Sequence, residues 1–475
     1  MTKNITISAN KPFQNKKKNK VLLITAPWEF GGQELSRIYP LGIAYLGAVL
    51  EKAGYNAEGI NLGDKDWDKV EDGIKLLIEQ ENPDVIGISI MSSNRNSAAK
   101  LFKIIKEINP KIITIAGGVH TTFMYKQMFE NYPDIDIAVL GEGEETILEL
   151  MNYFNGRKSI SKLRKIKGIA FKYNEEIIKT EPRPRMKDLD ALPMPKHEYF
   201  EDQIKKYKIV YMQTTRGCPF NCKFCPSSPL WGRMISKRNV KNLFNEMQYL
   251  IKRFPYIERI SFCDDEFIVD NKRVIELCKL IIKNNIKIRW DCIGRVTSVT
   301  DEVIKYMKMA GCTVITFGVE SGNQQILNNM NKCQTIPQII NAFDICKRQG
   351  LKAEPLLICG FPGETSETIN DTIKLLKKIR IIGEPGLLFL VPGTQIYEIA
   401  KEQGVLDDDY WLTDKPIPFY FKEHSELRLL YWNLKISFYS HLYADENGGI
   451  KNFVSYKFLK KLNKERLKAM LKRWI

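Results

Sequence analysis

The sequence RGCPFNCKFCP, residues 216–226, brings three cysteines together in the spacing C-x3-C-x2-C. Three thiolates can hold three irons of a [4Fe–4S] cube and leave the fourth iron open to another ligand, whereas clusters with structural or electron-transfer roles normally take four cysteines. A closed zinc site is the main alternative, but it needs a fourth Cys or His, usually in a second pair. No histidine lies near Cys218, Cys222 and Cys225, and the next cysteine is Cys263. The pattern therefore predicts a cluster with an open iron, and three buried thiols on a loop are the alternative without a cofactor.

The length and composition bound the class of protein. At 475 residues the chain is long enough for about two or three domains. Its hydrophobic content of 44% and charged content of 27% are those of an ordinary globular protein. No run of roughly 18 apolar residues is present, and no apolar segment follows Met1, so neither a transmembrane span nor a secretory signal is expected. Cysteines arranged for a cluster predict a reducing, cytoplasmic location.

The net charge of +16 comes from lysines spread along the whole chain. Such a distribution is typical of solvated faces, and a functional basic surface is the alternative. No recognisable nucleic-acid-binding module accompanies the charge, so no nucleic-acid partner is expected. A basic, aromatic helix predicted at the C-terminus leaves peripheral contact with a membrane open, beside simple packing on the rest of the fold.

The first half of the chain alternates strands with helices. Val21–Ala26 (VLLITA) is a continuous apolar run, as expected for a strand buried on both faces of a parallel sheet. A helix with a proline at its start and a glycine at its end follows at Pro40–Gly54. Further strands are predicted at Asn56–Asn61, Val85–Ile90, Ile112–Ala116 and Ile137–Leu140. This alternation predicts a doubly wound, Rossmann-like α/β domain over residues 21–155, after a disordered leader at residues 1–20.

The turns that follow these strands carry polar residues and glycines. Ligands bind at this edge of an open α/β sheet, because glycine lets a ligand approach the backbone and the helix N-termini behind favour phosphate. The candidate binding residues are Ser92, Ser93, Gly117, Gly118, His120, Gly141 and Glu142. For His120, a capping or supporting role is the alternative to facing a ligand.

The second half predicts a barrel. Residues 156–200 form a proline-punctuated connector with a small β element. Six strands are then predicted at Ile209–Thr215, Ile257–Phe262, Ile286–Cys292, Val314–Val319, Lys352–Ile358 and Gly386–Val391. Each is followed by polar residues or glycines, so residues 201–398 predict a partial (β/α)6 barrel with its site at the carboxyl ends of the strands. Residues 399–475 predict a helical C-terminal segment rich in aromatic side chains.

The cysteine loop, with Phe224 just before its last cysteine, resembles that of the radical S-adenosylmethionine (SAM) superfamily. The barrel turns match that family in order over about residues 205–395. The first domain resembles the B12-binding domain of the cobalamin-dependent members, through the helix start at Pro40-Leu41-Gly42 and the turns at Gly117–His120 and Gly141–Thr146. The resemblance implies an enzyme that cleaves SAM reductively to a 5′-deoxyadenosyl radical.

The resemblance also implies roles for individual residues. Cys218, Cys222 and Cys225 would hold a [4Fe–4S] cluster whose open iron chelates SAM. The predicted SAM-binding residues are Phe224 and the Gly360 and Gly363 turn near the adenine, Glu320 and Ser321 near the methionine and ribose, and Arg295 at the carboxylate. A small-molecule, lipid or natural-product substrate and an external electron donor such as flavodoxin or ferredoxin would be the partners.

Cobalamin is the further cofactor implied, with one departure from the usual pattern. The Asp-x-His-x-x-Gly motif is absent, because none of His120, His197, His424 and His441 has an aspartate two residues before it. Cobalt would then be left without a protein imidazole. The alternative is a first domain that has lost cobalamin and only caps the barrel.

Several candidate residues have structural alternatives. Glu320 could form a salt bridge with a helix, Arg295 could lie in a surface salt bridge, and the Gly360–Thr365 segment could be only a tight turn. Asp264 and Asp265 follow a predicted strand, where one of them would contact substrate or cap a helix. The remaining cysteines are predicted to be buried apolar residues: Cys263, Cys278, Cys292, Cys312, Cys333, Cys346 and Cys359.

Four functions are compatible with this organisation to different degrees. The first is a cobalamin-dependent methyltransferase acting on an unactivated carbon or a phosphinate centre. The second is a radical cyclisation, ring contraction or rearrangement without methyl transfer. A tRNA methylthiotransferase would need a second three-cysteine set in the first domain, and no cysteine precedes Cys218. A non-enzymatic cluster or B12 sensor would not need the full set of barrel motifs.

Overall fold

The structure is a computed structural model that describes residues 19–29, 37–65, 67–156 and 158–445. The leader predicted at residues 1–20 and the basic helix predicted at the C-terminus lie almost entirely outside the described residues. The chain divides into two compact units. The first comprises residues 1–219, 226–261 and 391–418, and the second comprises residues 220–225, 262–390 and 419–475. No helix among the described residues is both long and apolar enough to span a bilayer.

The first unit contains a seven-stranded sheet. Its strands are β1 (Lys20–Thr25), β2 (Asn56–Asn61), β3 (Val85–Ser89), β4 (Ile113–Gly117), β5 (Ile137–Val139), β6 (Ile169–Tyr173) and β7 (Glu176–Lys179). They lie in the order β2-β1-β3-β4-β5-β6-β7. The first five strands pair in parallel, in registers such as Val21 opposite Val85, while β6 and β7 are antiparallel. The strands predicted up to Leu140 are therefore confirmed to within one residue at each end, and the sheet continues into residues predicted as connector.

Helices alternate with the parallel strands, as the sequence predicted. They are α1 (Leu41–Lys52), α2 (Trp67–Glu81), α3 (Arg95–Ile108), α4 (Val119–Asn131) and α5 (Glu144–Asn155). Leu22 and Ile86 on the central strands are fully buried, and Ile74 of α2 and Phe102 of α3 pack in the same core. A strand covered by helices on both faces explains the continuous apolar run at the start of the described chain.

The rest of the first unit is built from shorter elements. They are α6 (Ile160–Leu163), α7 (Glu201–Tyr207), β8 (Ile209–Met212), β9 (Thr215–Arg216), α8 (Ser227–Trp231), β10 (Ser236–Lys237), α9 (Val240–Arg253), β11 (Arg259–Phe262, which ends in the second unit) and α15 (Gln395–Glu402). A buried polar network joins several of them. His197 Nδ1 lies 2.8 Å from the Tyr39 hydroxyl, and the Glu246 carboxylate lies 2.5 Å from Arg238. The pairing with Arg238 balances the cost of burying the Glu246 charge.

The second unit continues the strand–helix alternation. Its strands are β12 (Arg289–Gly294), β13 (Cys312–Glu320), β14 (Lys352–Cys359) and β15 (Glu384–Leu387), which pair in parallel in chain order. They belong to a six-stranded sheet in the order β15-β14-β13-β12-β11-β8. All six predicted barrel strands are present, with shifted bounds. β11 and β12 begin two and three residues later than predicted, and β13 begins two residues earlier. β8 ends three residues earlier than predicted, and β15 begins two and ends four residues earlier. The apolar residues of Ile286–Ile288 precede β12, and Pro385 and Gly386, which weaken strand patterns, lie within β15.

Helices cover one face of these strands. They are α10 (Asn271–Lys283), α11 (Asp301–Met309), α12 (Gln324–Asn329), α13 (Ile336–Arg348), α14 (Ser366–Ile379) and α16 (Glu426–Tyr443). The side chain that caps α10 is Asp270, which accepts a hydrogen bond from the Arg273 amide. Asp270, and not Asp264 or Asp265, therefore caps this helix, after a short 3-10 helix at Phe267–Val269.

The cysteines outside the loop at residues 218–225 follow the prediction with two exceptions. Cys278, Cys292, Cys312, Cys346 and Cys359 are buried, and burial raises the pKa of Cys346 to about 12. Such thiols are unreactive packing residues. The prediction is wrong for Cys263 and Cys333, which are exposed. Cys263 comes directly after β11, and Cys333 lies in a loop where its φ is +52°.

Candidate active site

The cysteine loop begins in the first unit and continues in the second. Gly217 precedes Cys218 with a φ of +94°, and a Cβ at Gly217 would lie 2.3 Å from the Met234 carbonyl oxygen, so only glycine fits there. In the second unit the Cys225 amide donates to the Cys222 carbonyl across 3.1 Å. Cys222 is buried and Cys225 is half-buried. The loop is thus a set of tight turns that fixes the backbone of its cysteines.

A second loop of the second unit holds the cysteine loop in place. The Lys223 amide donates to the Met330 carbonyl across 3.0 Å. The Asn331 side-chain amide donates to the Asn221 carbonyl across 2.8 Å, from a backbone with a φ of +54°. The sequence did not single out Asn331, although an Asn at positive φ just after a helix is a known helix-end pattern.

Arg295 lies directly beneath the cysteine loop in the second unit. It is 5% exposed, and its Nη1 lies 3.6 Å from the Cys222 sulfur. Its guanidinium stacks 3.6 Å from the centroid of the Phe220 ring, and Nη2 donates to the Lys332 carbonyl. The alternative of a surface salt bridge is wrong, because β12 ends at Gly294 and delivers the next side chain into the interior. A buried cation here stabilises negative charge on the sulfur.

The end of β13 carries a buried ion pair. Glu320 has a φ of +63°, and the β13–β14 register shifts between Gly318 and Glu320. This local irregularity aims the Glu320 carboxylate at Lys332, whose Nζ lies 2.6 Å away. Lys332 Nζ also lies 5.7 Å from the centroid of the Phe224 ring. The predicted alternative of a salt bridge for Glu320 is present, although its partner Lys332 lies in a loop and was not predicted.

Glycine residues make room for this arrangement. A Cβ at Gly318 would lie 2.5 Å from Glu320 Oε1, and a Cβ at Gly322 would lie 2.4 Å from the Thr372 Cα. Ser321 is fully buried, and its hydroxyl accepts from the Asn323 amide across 3.2 Å. The Gly-Val-Glu-Ser-Gly sequence therefore packs tightly against α14, with Glu320 displayed at its edge.

The turn after β14 is closed by its own glutamate. Glu364 Oε2 accepts from the Gly360 amide across 2.5 Å and from the Phe361 amide across 3.3 Å. Gly360 and Gly363 have φ values of +95° and +86°. Burial raises the pKa of Glu364 to about 7, against the opposing effect of the two amides. The segment is therefore a tight turn, which was the structural alternative. The resemblance to radical SAM enzymes implies in addition that this turn lies near the adenine of SAM.

Glu266 is a second buried carboxyl group in this unit. Its neighbours Asp264 and Asp265, and not Glu266, were the candidates that the sequence predicted. Glu266 is 0% exposed, and neither carboxylate oxygen meets hydrogen-bond geometry with another described residue. Burial raises the pKa of Glu266 to about 7, against the smaller effects of the Arg295 charge, the Ser298 hydroxyl and the Lys332 charge. Strongly shifted carboxyl groups concentrate at functional sites.

The three cysteine thiols of this loop fit a [4Fe–4S] cube better than a single metal ion. Among the described residues, no three His, Cys, Asp or Glu side chains converge on a position where they could bind one metal ion. Zinc needs four ligands at about 2.0–2.3 Å from one centre. A cube instead attaches each thiolate to a different iron, so its ligands lie further apart. Three thiols without a fourth Cys or His therefore fit a [4Fe–4S] cluster with an open iron.

The predicted binding turns of the first unit meet at one edge of its sheet. The Ile90 amide, just after β3, donates to the Gly117 carbonyl across 2.8 Å, and the His120 amide donates to the Ile90 carbonyl across 3.1 Å. The Gly141 amide, after β5, donates to the Thr122 hydroxyl across 3.1 Å. A Cβ at Gly117 or Gly141 would meet nothing within 4 Å, so these turns face open space. The edge is thus unobstructed at both glycines.

His120 is held in the interior beside this edge. It is 2% exposed, its Nδ1 lies 3.0 Å from the Ser92 hydroxyl, and its ring meets Trp411 edge-on at 5.4 Å. Burial lowers the pKa of His120 to about 3, and the Arg95 charge acts in the same direction. The imidazole is therefore neutral, and its geometry supports the alternative of a supporting role.

Two more of the predicted residues have internal partners. Glu142 Oε1 lies 2.9 Å from Arg216, and Oε2 accepts from the Met186 amide across 2.7 Å. The Ser93 carbonyl accepts from the Glu29 amide across 3.0 Å. The Glu142 carboxylate is therefore engaged within the first unit, and the Ser93 backbone holds its turn.

A segment from far along the chain completes this part of the first unit. Arg95 is buried and donates to the carbonyls of Trp411, Thr413 and Lys415 at 2.8, 2.7 and 2.7 Å. Its guanidinium lies 5.1 Å from the centroid of the Trp411 ring. Arg95 thus fixes residues 411–415 beside Ser92 and His120. No sequence pattern predicts this contact, because the two segments are more than 300 residues apart.

Comparison with known proteins matches the chain to two families. The B12 binding domain family matches residues 35–151 and the Radical SAM superfamily matches residues 212–376. The chain is similar to the uncharacterized methyltransferase PH0819 of Pyrococcus horikoshii, with 32% identity over 410 residues, 82% of this chain and 85% of that protein. It is also similar to the anaerobic magnesium-protoporphyrin IX monomethyl ester cyclase of Rubrivivax gelatinosus, with 29% identity over 367 residues, 75% of this chain and 65% of that protein.

A solved structure shares the fold. The radical SAM methyltransferase TsrM of Kitasatospora setae, with cobalamin and a [4Fe–4S] cluster bound, aligns with a TM-score of 0.67 at 17% identity, over 81% of this chain and 75% of that chain. The predicted order of a Rossmann-like B12-binding domain, a partial radical SAM barrel and a helical C-terminal segment is confirmed. So is the predicted cofactor set of a [4Fe–4S] cluster, SAM and cobalamin. The chain belongs to the cobalamin-dependent, B12-binding-domain family of radical SAM enzymes.

Proposed function

We propose that this radical SAM enzyme is a cobalamin-dependent methyltransferase that acts on an unactivated carbon of a small molecule. The observation that carries the proposal is the presence, in one chain, of a B12-binding domain with an unobstructed sheet edge at Gly117 and Gly141 and of a three-cysteine loop beside a buried arginine. The relative PH0819, which is named a methyltransferase and aligns over most of both chains, supports it.

The bound cofactors would supply a carbon-centred radical from SAM and a methyl group from cobalamin. The residues of the second unit would bind and orient SAM. Lys332 and Glu320 present opposite charges 2.6 Å apart at the end of β13, as recognition of the zwitterionic amino-acid group of SAM requires. Phe224 offers an aromatic face next to Lys332. Arg295 places a fixed positive charge at the Cys222 sulfur, which favours addition of an electron to a cluster bound there.

The test uses the anaerobically reconstituted enzyme with SAM and a low-potential reductant. We expect both S-adenosylhomocysteine, the product of methyl donation, and 5′-deoxyadenosine, the product of radical formation. Cys222→Ala should abolish the 5′-deoxyadenosine. Purified enzyme that holds four irons and one cobalt but never forms S-adenosylhomocysteine would contradict the methyltransferase proposal.

A radical cyclisation without methyl transfer is the second candidate. It is favoured by the likeness to the Rubrivivax gelatinosus cyclase, which aligns over three quarters of this chain. Its result in the same assay would be 5′-deoxyadenosine without S-adenosylhomocysteine. The two candidates share every residue of the cluster and SAM sites, so the assay separates them by product alone.

We infer that the partners are a small-molecule substrate, with lipids and natural products as the classes to screen first, and a one-electron donor protein such as flavodoxin or ferredoxin. Cluster chemistry at three thiols supports a reducing compartment, the cytoplasm. Expression in an anaerobic host with and without a flavodoxin system checks the donor, since the proposal expects product only where a low-potential donor is present.

A further inference from the structure

The turn Gly360–Glu364 is held by hydrogen bonds from its own residues and by others from the C-terminal segment. Its own Glu364 closes it, as described above, and two residues of the C-terminal segment reach its backbone. Glu423 Oε2 accepts from the Gly363 amide across 2.7 Å. His424 Nε2 donates to the Glu364 carbonyl across 2.7 Å. All of these groups belong to the second unit.

The two outer contacts are anchored to the buried side of α16. The His424 ring meets the Trp432 ring edge-on at 4.6 Å, and Trp432 is 2% exposed. Leu429, also buried, approaches the position that a Cβ on Gly360 would occupy to within 3.1 Å. The Asn433 side-chain amide donates to the Pro385 carbonyl across 2.7 Å. The segment is therefore fixed on the barrel before it touches the turn.

Glu423 itself adds little to the packed core, because its side chain is exposed. Its hydrogen bond instead fixes the Gly363 amide, at a glycine with positive φ that would otherwise sample several conformations. Holding a binding turn in one conformation lowers the entropy lost when a ligand binds to it. An exposed contact of this kind acts on the turn and not on the stability of the fold.

We propose that Glu423 and His424 are positioning residues for the SAM-binding turn Gly360–Glu364, so that the C-terminal segment sets part of the affinity for SAM. The inference rests on the proposed function in one respect, the assignment of this turn to SAM. It adds α16 and the segment just before it to a site that is otherwise formed by the carboxyl ends of the barrel strands.

The experiment measures SAM binding to reconstituted full-length enzyme by equilibrium dialysis, together with the iron content and the EPR spectrum of the reduced cluster. Glu423→Ala and His424→Ala should each weaken SAM binding by about three- to tenfold, the effect of losing one ordinary hydrogen bond. Iron content should match the wild type in both variants, and the thermal midpoint should match it in Glu423→Ala, whose side chain is exposed. Glu423→Gln keeps a carbonyl oxygen that can accept from Gly363 and should restore affinity to within about twofold.

Lys422→Ala is the matched control, since Lys422 is an exposed charged neighbour in the same segment. SAM binding unchanged in Glu423→Ala and His424→Ala would overturn the inference alone, as would an equal loss in Glu423→Gln. Wild-type enzyme that holds four irons and binds no SAM would overturn the SAM assignment of the turn and this inference with it.

Discussion

Glu266 shows what burial does to a single charged group. A carboxyl group buried away from water holds its proton more tightly in the native protein than in the unfolded chain, so the pKa of Glu266 rises from 4.5 to about 7. The native state then binds more protons than the unfolded state between these two values. Stability is therefore full below pH 4.5 and falls as the pH rises towards 7, by about 1.4 kcal/mol per pH unit at most.

Glu266→Gln should remove this pH dependence. Between pH 5.5 and pH 8 the thermal midpoint of the wild type should fall more than that of the variant, with a difference on the order of 2 kcal/mol in unfolding free energy. Differential scanning calorimetry of the reconstituted enzyme at both pH values checks it. Glu276→Gln, on the exposed face of α10, is the control and should behave as the wild type. Parallel curves for Glu266→Gln and the wild type would contradict the shifted pKa.

At the level of elements, alanine substitutions at two glycines test two different effects on stability, close packing at Gly322 and backbone flexibility at Gly73. A Cβ at Gly322 would lie 2.4 Å from the Thr372 Cα and 2.7 Å from the Asp371 carbonyl oxygen, both backbone atoms of α14. Gly322→Ala should therefore cost about 1–3 kcal/mol or more of stability, because the helix backbone must move. Gly73 lies in the exposed middle of α2 with nothing within 4 Å of its Cβ position, so Gly73→Ala should gain about 0.5–1 kcal/mol.

Thermal unfolding of the two variants beside the wild type checks this pair. The expected order of midpoints is Gly73→Ala above the wild type and Gly322→Ala below it. A Gly322→Ala enzyme with an unchanged midpoint would mean that β13 and α14 do not approach each other as closely as the structure shows.

The carboxyl ends of the first sheet offer a test of cobalamin binding. Gly117 faces open space at ordinary φ, so a leucine there should fit without strain and occupy the space that a corrin needs. Gly117→Leu should lower the cobalt content after reconstitution by at least about tenfold, with an unchanged thermal midpoint of the cobalt-free protein. Gly73→Leu is the control, since it adds the same side chain to an exposed helix. Full cobalt content in Gly117→Leu would rule out this edge as the corrin site.

On the scale of the whole molecule, the two cofactor sites draw on different residues. Gly117, Gly118 and His120 belong to the first unit, whereas Cys222, Cys225 and Arg295 belong to the second, and of the cluster cysteines only Cys218 belongs to the first. The variant with Cys218→Ala, Cys222→Ala and Cys225→Ala together should therefore lose all cluster iron and still bind about one cobalamin per chain. Iron and cobalt counts after reconstitution check it. A parallel loss of cobalt would show that corrin binding depends on the cluster loop.

The sequence by itself determined the order of domains, the strands and the chemistry of the cluster. Continuous apolar runs such as VLLITA, and a three-cysteine spacing without a fourth ligand, are local patterns that depend on neighbours in the chain. The six barrel strands followed for the same reason. Their ends were less certain at β12 and β15, where Ile286–Ile288 extends an apolar run and Pro385-Gly386 interrupts one.

Only the tertiary structure decided which side chains complete the sites. Lys332 meets Glu320 because a loop after α12 folds back over β13, and Arg295 turns inward because β12 ends one residue before it. Glu423 reaches Gly363, and Arg95 reaches residues 411–415, across separations of 60 to more than 300 residues. No local pattern encodes such contacts. They arise from the packing of buried surfaces, which brings distant residues together only once the core has formed.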